Sequence, residues 1–166
     1  LVRTTLTGIT ICYLPQIQEA EVYSALRLLQ FAAQHFPEPS GLNKMLRRAA
    51  ESSGVEYSDQ QEQAIREAAK TGVLLVTGGP GTGKTTIVNG ILSLFDQMGL
   101  KTVLAAPTGR AAKRMTEVTG HDASTIHRLL GAGIDPHSGE LFFSKNEEDP
   151  LKVDAIIVDE MSMVDV

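Results

Sequence analysis

Val73-Leu74-Leu75-Val76-Thr77-Gly78-Gly79-Pro80-Gly81-Thr82-Gly83-Lys84-Thr85-Thr86 decides the fold of this 166-residue chain. Its first five residues are a short continuous apolar run, the spelling of a strand buried on both faces. The stretch from Gly78 to Thr85 then matches G-x-x-x-x-G-K-[ST]. Beyond the loop, Ile87, Val88, Ile91, Leu92, Leu94 and Phe95 recur at helical spacing up to Met98, and Gly99 marks the stop. Strand, glycine-rich loop and helix in that order are the context this pattern requires. Glycines let the backbone curl so that successive N–H groups point inward at phosphate oxygens, and the helix start adds its positive dipole end. Lys84 is expected to reach the β- and γ-phosphates, and Thr85 to offer a hydroxyl to Mg²⁺. The expected nucleotide-binding set is Gly78, Gly79, Pro80, Gly81, Thr82, Gly83, Lys84, Thr85 and Thr86.

Two further apolar runs, Val103-Leu104-Ala105-Ala106 and Ala155-Ile156-Ile157-Val158, have the same buried-strand spelling. Helical patterns separate the runs, which predicts an α/β fold with a parallel sheet and crossover helices. Thr108 is placed to cap a helix from Gly109 to about Thr119, and a short helix is expected over residues 123–130. Ile134 and Leu141-Phe142-Phe143 flank the turn composition Asp135-Pro136-His137-Ser138-Gly139, which predicts a hairpin insertion at residues 131–150. Upstream, residues 1–14 read as one or two short strands, followed by helices from Pro15 and from Leu42, the second stopped at Gly54. Ser58-Asp59-Gln60-Gln61 is a capping box that opens a helix to about Lys70. The expected division is a mainly helical segment, 1–56, and a phosphate-loop lobe, 57–166.

Composition narrows the classes. Apolar residues make up 42% and charged residues 21%, which excludes disordered and fibrous chains. The net charge of −5 argues against a generally basic nucleic-acid binder. Its distribution is uneven: residues 57–130 carry net +2 and residues 131–166 net −7, so a polyanion must meet the middle of the chain. The single cysteine, Cys12, cannot form an internal disulfide, and no apolar run is long enough to span a bilayer. A cytoplasmic protein that does not enter membranes is expected.

A triphosphatase of this type needs a carboxylate for Mg²⁺ at the end of a neighbouring strand. Asp159 follows Ile156-Ile157-Val158 and fills that place. Glu160, next along, is positioned to orient or deprotonate an attacking water. A kinase, whose acceptor is not water, would have no need of the second carboxylate, so the pair favours hydrolysis. Lys84 and Glu160 are the expected catalytic residues, Thr85 and Asp159 the metal ligands, and ATP and Mg²⁺ the cofactors.

With these residues in hand, the chain resembles RecD-like superfamily 1 DNA helicases, the exodeoxyribonuclease V alpha-subunit relatives. Tyr57-Ser58-Asp59-Gln60-Gln61-Glu62-Gln63-Ala64-Ile65 looks like the family's Q-motif, with Gln61 at the position that reads the adenine edge. Gln61 is also part of the capping box, and the two roles are compatible. Ala105-Ala106-Pro107-Thr108-Gly109-Arg110-Ala111-Ala112-Lys113-Arg114 resembles motif Ia, and Ser124-Thr125-Ile126-His127-Arg128-Leu129-Leu130 resembles motif Ib. Asp159-Glu160-Met161-Ser162-Met163-Val164-Asp165 looks like motif II of this branch. Thr108, Arg110, Lys113, Arg114, Thr125 and His127 are then the expected contacts to single-stranded DNA. The charged helix face also reads as a solvated surface, although its place beside Thr108 and small residues favours the DNA reading; His127 reads equally as a structural group.

The resemblance implies a RecA-like phosphate-loop lobe, preceded by a small helical segment, in an enzyme that moves 5′-to-3′ on single-stranded DNA. Phe142 or Phe143 is the candidate for a stacking or strand-splitting side chain in the hairpin. The family places a γ-phosphate-sensing glutamine, a second RecA-like lobe and an arginine finger after motif II. It also has a strand between the loop-bearing strand and the motif II strand. The chain is thus expected to be an N-terminal piece with an incomplete sheet, binding Mg²⁺–ATP weakly, hydrolysing it very slowly or not at all, and unwinding nothing alone. The second lobe of the same parent and DNA-repair proteins are the implied partners. Two other readings stand beside this one: a non-helicase ATPase of DNA repair, and a non-catalytic nucleic-acid-binding module.

Overall fold

The computed structural model describes residues 2–79 and 81–165. The chain opens with an antiparallel hairpin of β1 (Val2–Leu6) and β2 (Ile9–Tyr13), in which Val2 pairs with Tyr13 and Leu6 with Ile9. Its two turn residues, Thr7 and Gly8, both have positive φ (49° and 83°), the geometry that matches the twist of the flanking strands. Helix α1 (Pro15–Ala32) follows with proline in its first turn, and α2 (Leu42–Ser53) ends on Gly54 in the left-handed region. In α3 (Asp59–Ala68) the capping box forms as spelled. The Gln61 amide donates to Ser58 Oγ at 3.4 Å, and the Ser58 amide donates to Gln61 Oε1 at 3.0 Å.

Helix α4 (Lys84–Met98) leads into β3 (Thr102–Ala106), α5 (Gly109–Thr119), β4 (Ala123–Thr125) and α6 (Ile126–Leu129). A second hairpin pairs β5 (Ala132–Ile134) with β6 (Leu141–Phe143), and β7 (Ala155–Val158) runs into a 3-10 turn at Met161–Met163. The parallel sheet has the order β4-β3-β7, with Ala106 beside Thr125 and Ala105 beside Val158. The short helix expected over 123–130 is therefore half strand: residues 123–125 are held by β3 before α6 begins.

The expected strand at residues 73–77 does not form. No ladder hydrogen bond holds it among the described residues, and Leu75 is 76% exposed. Apolar spelling makes a segment suitable for a buried strand, but a strand also needs a neighbour to exchange backbone hydrogen bonds with. Only Val76 of this run packs against the core.

Helix α4 organises the interior. Its Ile87, Ile91, Leu94 and Phe95 join Leu42 and Leu46 of α2 and Ile65 of α3 in one cluster, while its Leu92 meets Leu104 of β3 and Met115 of α5 in another. Ile157 of β7 touches both clusters. Helix α2 thus shares its core with α3 and α4.

Candidate nucleotide-binding site

Topology brings the site together. Helix α4 ends at Met98 and β3 begins at Thr102, so the helix runs back alongside the strand it feeds. Its 15 residues extend about 22 Å, enough to carry Lys84 to the C-terminal edge of β3. Strand β7 is parallel to β3 and in register with it, so Asp159, one residue beyond β7, lies at that same edge. The Asp159 amide donates to Ala105 O at 3.0 Å, which fixes the strand end.

The loop itself is curled. Gly81 and Gly83 have φ of +75° and +85°, and Gly83 is the residue that opens α4. Thr82 Oγ1 donates to Gly79 O at 2.9 Å, folding over Gly78 so closely that a Cβ there would meet it at 2.5 Å. Lys84 Nζ donates to Gly78 O at 2.6 Å and to Gly79 O at 2.7 Å. The ammonium thus sits at the mouth of the loop, where a phosphate would replace or share its carbonyl partners. Pro80 lies outside the described residues.

Gln61 reaches this loop. A Cβ on Gly83 would collide with Gln61 Nε2, so the side chain lies directly against the glycine that starts α4. Its Oε1 is held by the Ser58 amide, which leaves the Nε2 end directed at the loop. The cap and the approach to the loop use opposite ends of one amide, so the two roles are compatible in space.

At the other side of the site, Glu160 occupies the left-handed region (φ 52°, ψ 38°), rare for a residue with a side chain. Its amide donates to Asp159 Oδ1 at 2.8 Å. Both carboxylates are exposed. Among the described residues no group of three or more His, Cys, Asp or Glu gathers as a metal cluster. The Thr85 hydroxyl and the Asp159 carboxylate are hard oxygen donors of the kind Mg²⁺ takes alongside water and phosphate oxygens. The loop turns through positive φ at Gly81 and Gly83 onto the start of α4 and carries the Lys84 ammonium at its mouth, a donor set suited to a triphosphate tail.

The sequence-derived nucleic-acid residues lie along the ends of β3 and β4. Thr108 caps α5 by accepting from the Ala111 amide at 3.2 Å, and Thr125 caps α6 by accepting from the Arg128 amide at 3.1 Å. Pairing of Ala106 with Thr125 sets the starts of these two helices side by side. Arg110, Lys113 and Arg114 are exposed, and among the described residues a long ion pair from Lys113 Nζ to Glu117 (3.9 Å) engages this face. His127 is exposed and its ring lies 5.9 Å from that of Phe143, tying α6 to the hairpin. Phe142 lies across its cross-strand partner Gly133, where a Cβ would come within 2.7 Å of the ring.

One positioning residue was not singled out from sequence. A Cβ on Gly90, in the middle of α4, would collide with Ile65 Cδ1 and meet the Tyr57 hydroxyl at 3.1 Å. The Tyr57 hydroxyl is buried with no hydrogen-bond partner among the described residues. The missing side chain lets α3, and with it Gln61, approach the start of α4. A glycine within an apolar helix face, costing about 1 kcal/mol in helix propensity, is the signal that could have revealed it.

Residues 61–166 match the model of the AAA domain family. The chain belongs to that family. It is 37% identical over 158 residues to the ATP-dependent RecD2 DNA helicase of Deinococcus radiodurans, covering 95% of this chain and 21% of that protein. With the RecBCD enzyme subunit RecD of Mycolicibacterium smegmatis it shares 39% identity over 129 residues, 64% of this chain and 23% of that one. The RecD subunit of Haemophilus influenzae is 33% identical over 135 residues, 67% and 20% of the two chains. These likenesses make this AAA-family chain RecD-like, with an α/β fold of the RecA type. The RecD-like chain spans about one fifth of the length of these relatives. No helix among its described residues is long and apolar enough to cross a membrane.

Proposed function

We propose that the chain is the ATP-binding lobe of a DNA helicase that moves along single-stranded DNA, 5′-to-3′ by its likeness to the RecD family. The observation that carries this reading is the contact of Gln61 with the closing glycine of the phosphate loop, on the sheet edge that also holds Asp159. The Nε2 end that faces the loop offers a donor to an adenine edge, and Oε1, which already accepts from the Ser58 amide, keeps a second lone pair as acceptor; a generic phosphate site would need neither. Lys84 and the backbone N–H groups of residues 78, 79 and 81–86 hold the triphosphate. Mg²⁺, held by Thr85 and Asp159, would neutralise charge on the phosphate oxygens. Glu160 orients the attacking water and takes its proton. Thr108, Arg110, Lys113, Arg114, Thr125 and His127 grip the strand by its phosphates, and a second RecA-like lobe of the same parent closes over the nucleotide. Residues 57–166 form this lobe and residues 1–56 its helical lead-in.

The test is a titration with Mg²⁺–ATP and Mg²⁺–GTP. Lys84→Ala should weaken binding of both about 10- to 100-fold, the loss expected for hydrogen bonds to a charged group. Gln61→Ala should weaken ATP more than GTP. Equal binding of ATP by the wild type and Lys84→Ala would remove the assignment, and equal losses of ATP and GTP in Gln61→Ala would remove the adenine contact. In the parent enzyme, hydrolysis should rise with single-stranded DNA and not with duplex.

A further inference from the structure

Helix α1 carries Ile17, Val22, Tyr23, Leu26, Leu28, Leu29 and Phe31, yet none of its residues is buried; Leu26, Leu28 and Leu29 are each more than half exposed. Its place is therefore set by what grips it at particular points. At its C-terminal end the chain forms a short antiparallel bridge with the segment that leads to the phosphate loop. The Phe36 amide donates to Lys70 O at 2.8 Å, and the Gly72 amide to Gln34 O at 3.0 Å. Gly72 lies so close beneath the helix that a Cβ there would collide with the Phe31 carbonyl oxygen.

The second grip is on the hairpin side. The Tyr23 hydroxyl donates to Glu147 Oε1, and the Arg27 guanidinium lies 4.0 Å from the same oxygen. Burial and the neighbouring carboxylate add to this hydrogen bond in raising the Tyr23 hydroxyl above its ordinary pKa, with the hydrogen bond first. Glu147 is presented by a braced turn. Asn146 Oδ1 accepts from the amides of Glu148 (2.9 Å) and Asp149 (3.0 Å), and Lys145 Nζ bonds Asp149 Oδ2 at 2.5 Å. The Lys145 amide donates to Leu130 O at 3.0 Å and the Ser144 amide to Gly131 O at 3.2 Å, which roots the turn in the base of the hairpin.

We infer that α1 is a strut coupling the segment that leads into the phosphate loop to the β5–β6 hairpin, with Tyr23, Arg27 and Glu147 as its hairpin-side joint. Nine residues, about 13 Å of helix, separate Tyr23 from Ala32, the last residue of α1 before the bridge, and a helix of that length moves as one body. A ligand that shifts residues 73–79 is felt at residues 144–150, and by linkage a second ligand bound at the hairpin changes affinity at the loop by the same factor as the loop ligand changes its own. The identity of the loop ligand as ATP rests on the nucleotide-binding reading above; the strut does not.

The first test needs no ligand. Amide hydrogen exchange is followed in the wild-type chain, in Tyr23→Phe, in Glu147→Gln and in the double variant. All of these change exposed side chains and spare the core. Each single variant should speed exchange about two- to tenfold at Glu148 and Asp149 and also at Phe36 and Gly72, on the far side of the helix. In the double variant the two effects should combine less than additively, because both substitutions weaken the same Tyr23–Glu147 contact. Acceleration confined to residues 144–150, with Phe36 and Gly72 unchanged, overturns the strut. The second test adds Mg²⁺–ATP. Protection at residues 78–86 should be accompanied by altered exchange at 144–150 in the wild type, and not in Tyr23→Phe. Protection at 78–86 with no response at 144–150 in the wild type also overturns the coupling. No protection at 78–86 defeats the ATP reading instead, and the ligand-free exchange still decides the strut.

Discussion

Glu160 shows what one backbone angle contributes. A side chain at φ 52° costs on the order of 1 kcal/mol relative to glycine, and the conformation persists because β7 ends at Val158 and a 3-10 turn begins at Met161. Glu160→Gly should therefore be more stable than Glu160→Ala by about 1 kcal/mol in urea unfolding, although both lose the carboxylate. If the two variants unfold at the same urea concentration, the left-handed geometry is not held in solution. In the parent enzyme Glu160→Gln keeps the backbone and should bind ATP while losing hydrolysis, as single-turnover kinetics would report.

Among the elements, the seating of α3 on α4 governs the nucleotide site from a distance. Gly90→Ala drives a methyl into Ile65 and should cost about 1–3 kcal/mol, the usual penalty for overpacking. It should also weaken ATP binding, because Gln61 rides on α3. A stability loss with unchanged affinity would separate the two elements. The β5–β6 hairpin carries its own pH signature. Asp135 accepts from the Ser138 and His137 amides, which hold its carboxyl below the ordinary carboxylate pKa, Ser138 contributing most. A carboxyl depressed by folding stabilises the turn fully above its unfolded pKa of about 3.9, and that stabilisation fades as pH falls through the lower folded value. Carbon chemical shifts of the Asp135 carboxyl should titrate below that pH, and exchange of the His137 and Ser138 amides should speed up in the same window.

Considered whole, the molecule separates its charges. The exposed Arg110, Lys113 and Arg114 stand on α5, while the acidic residues concentrate after residue 131. If this face grips single-stranded DNA, each alanine substitution there should reduce the slope of log affinity against log salt by about 0.7, measured with an unstructured oligonucleotide. Slopes unchanged in all three variants would mark the face as solvated surface.

The capping box at Ser58, the glycine-rich loop, helices α4 and α5 and the β5–β6 hairpin were legible because each is written in local terms: a side-chain oxygen three residues from an amide, a glycine at a turn, an apolar period of 3.6. Residues 73–77 were misread for a physical reason: spelling reports that a segment suits burial, whereas strand formation depends on a neighbour supplied from elsewhere. The same limit hid the approach of Gln61 to Gly83, the packing of Ile65 against Gly90 and the grip of Tyr23 on Glu147. Sequence by itself determined the caps, the glycine-rich turn and the helices α3, α4 and α5, since these depend on residue type and short-range geometry. Only the tertiary structure decided which distant side chains meet, because close packing selects those partners through shapes that no single segment encodes.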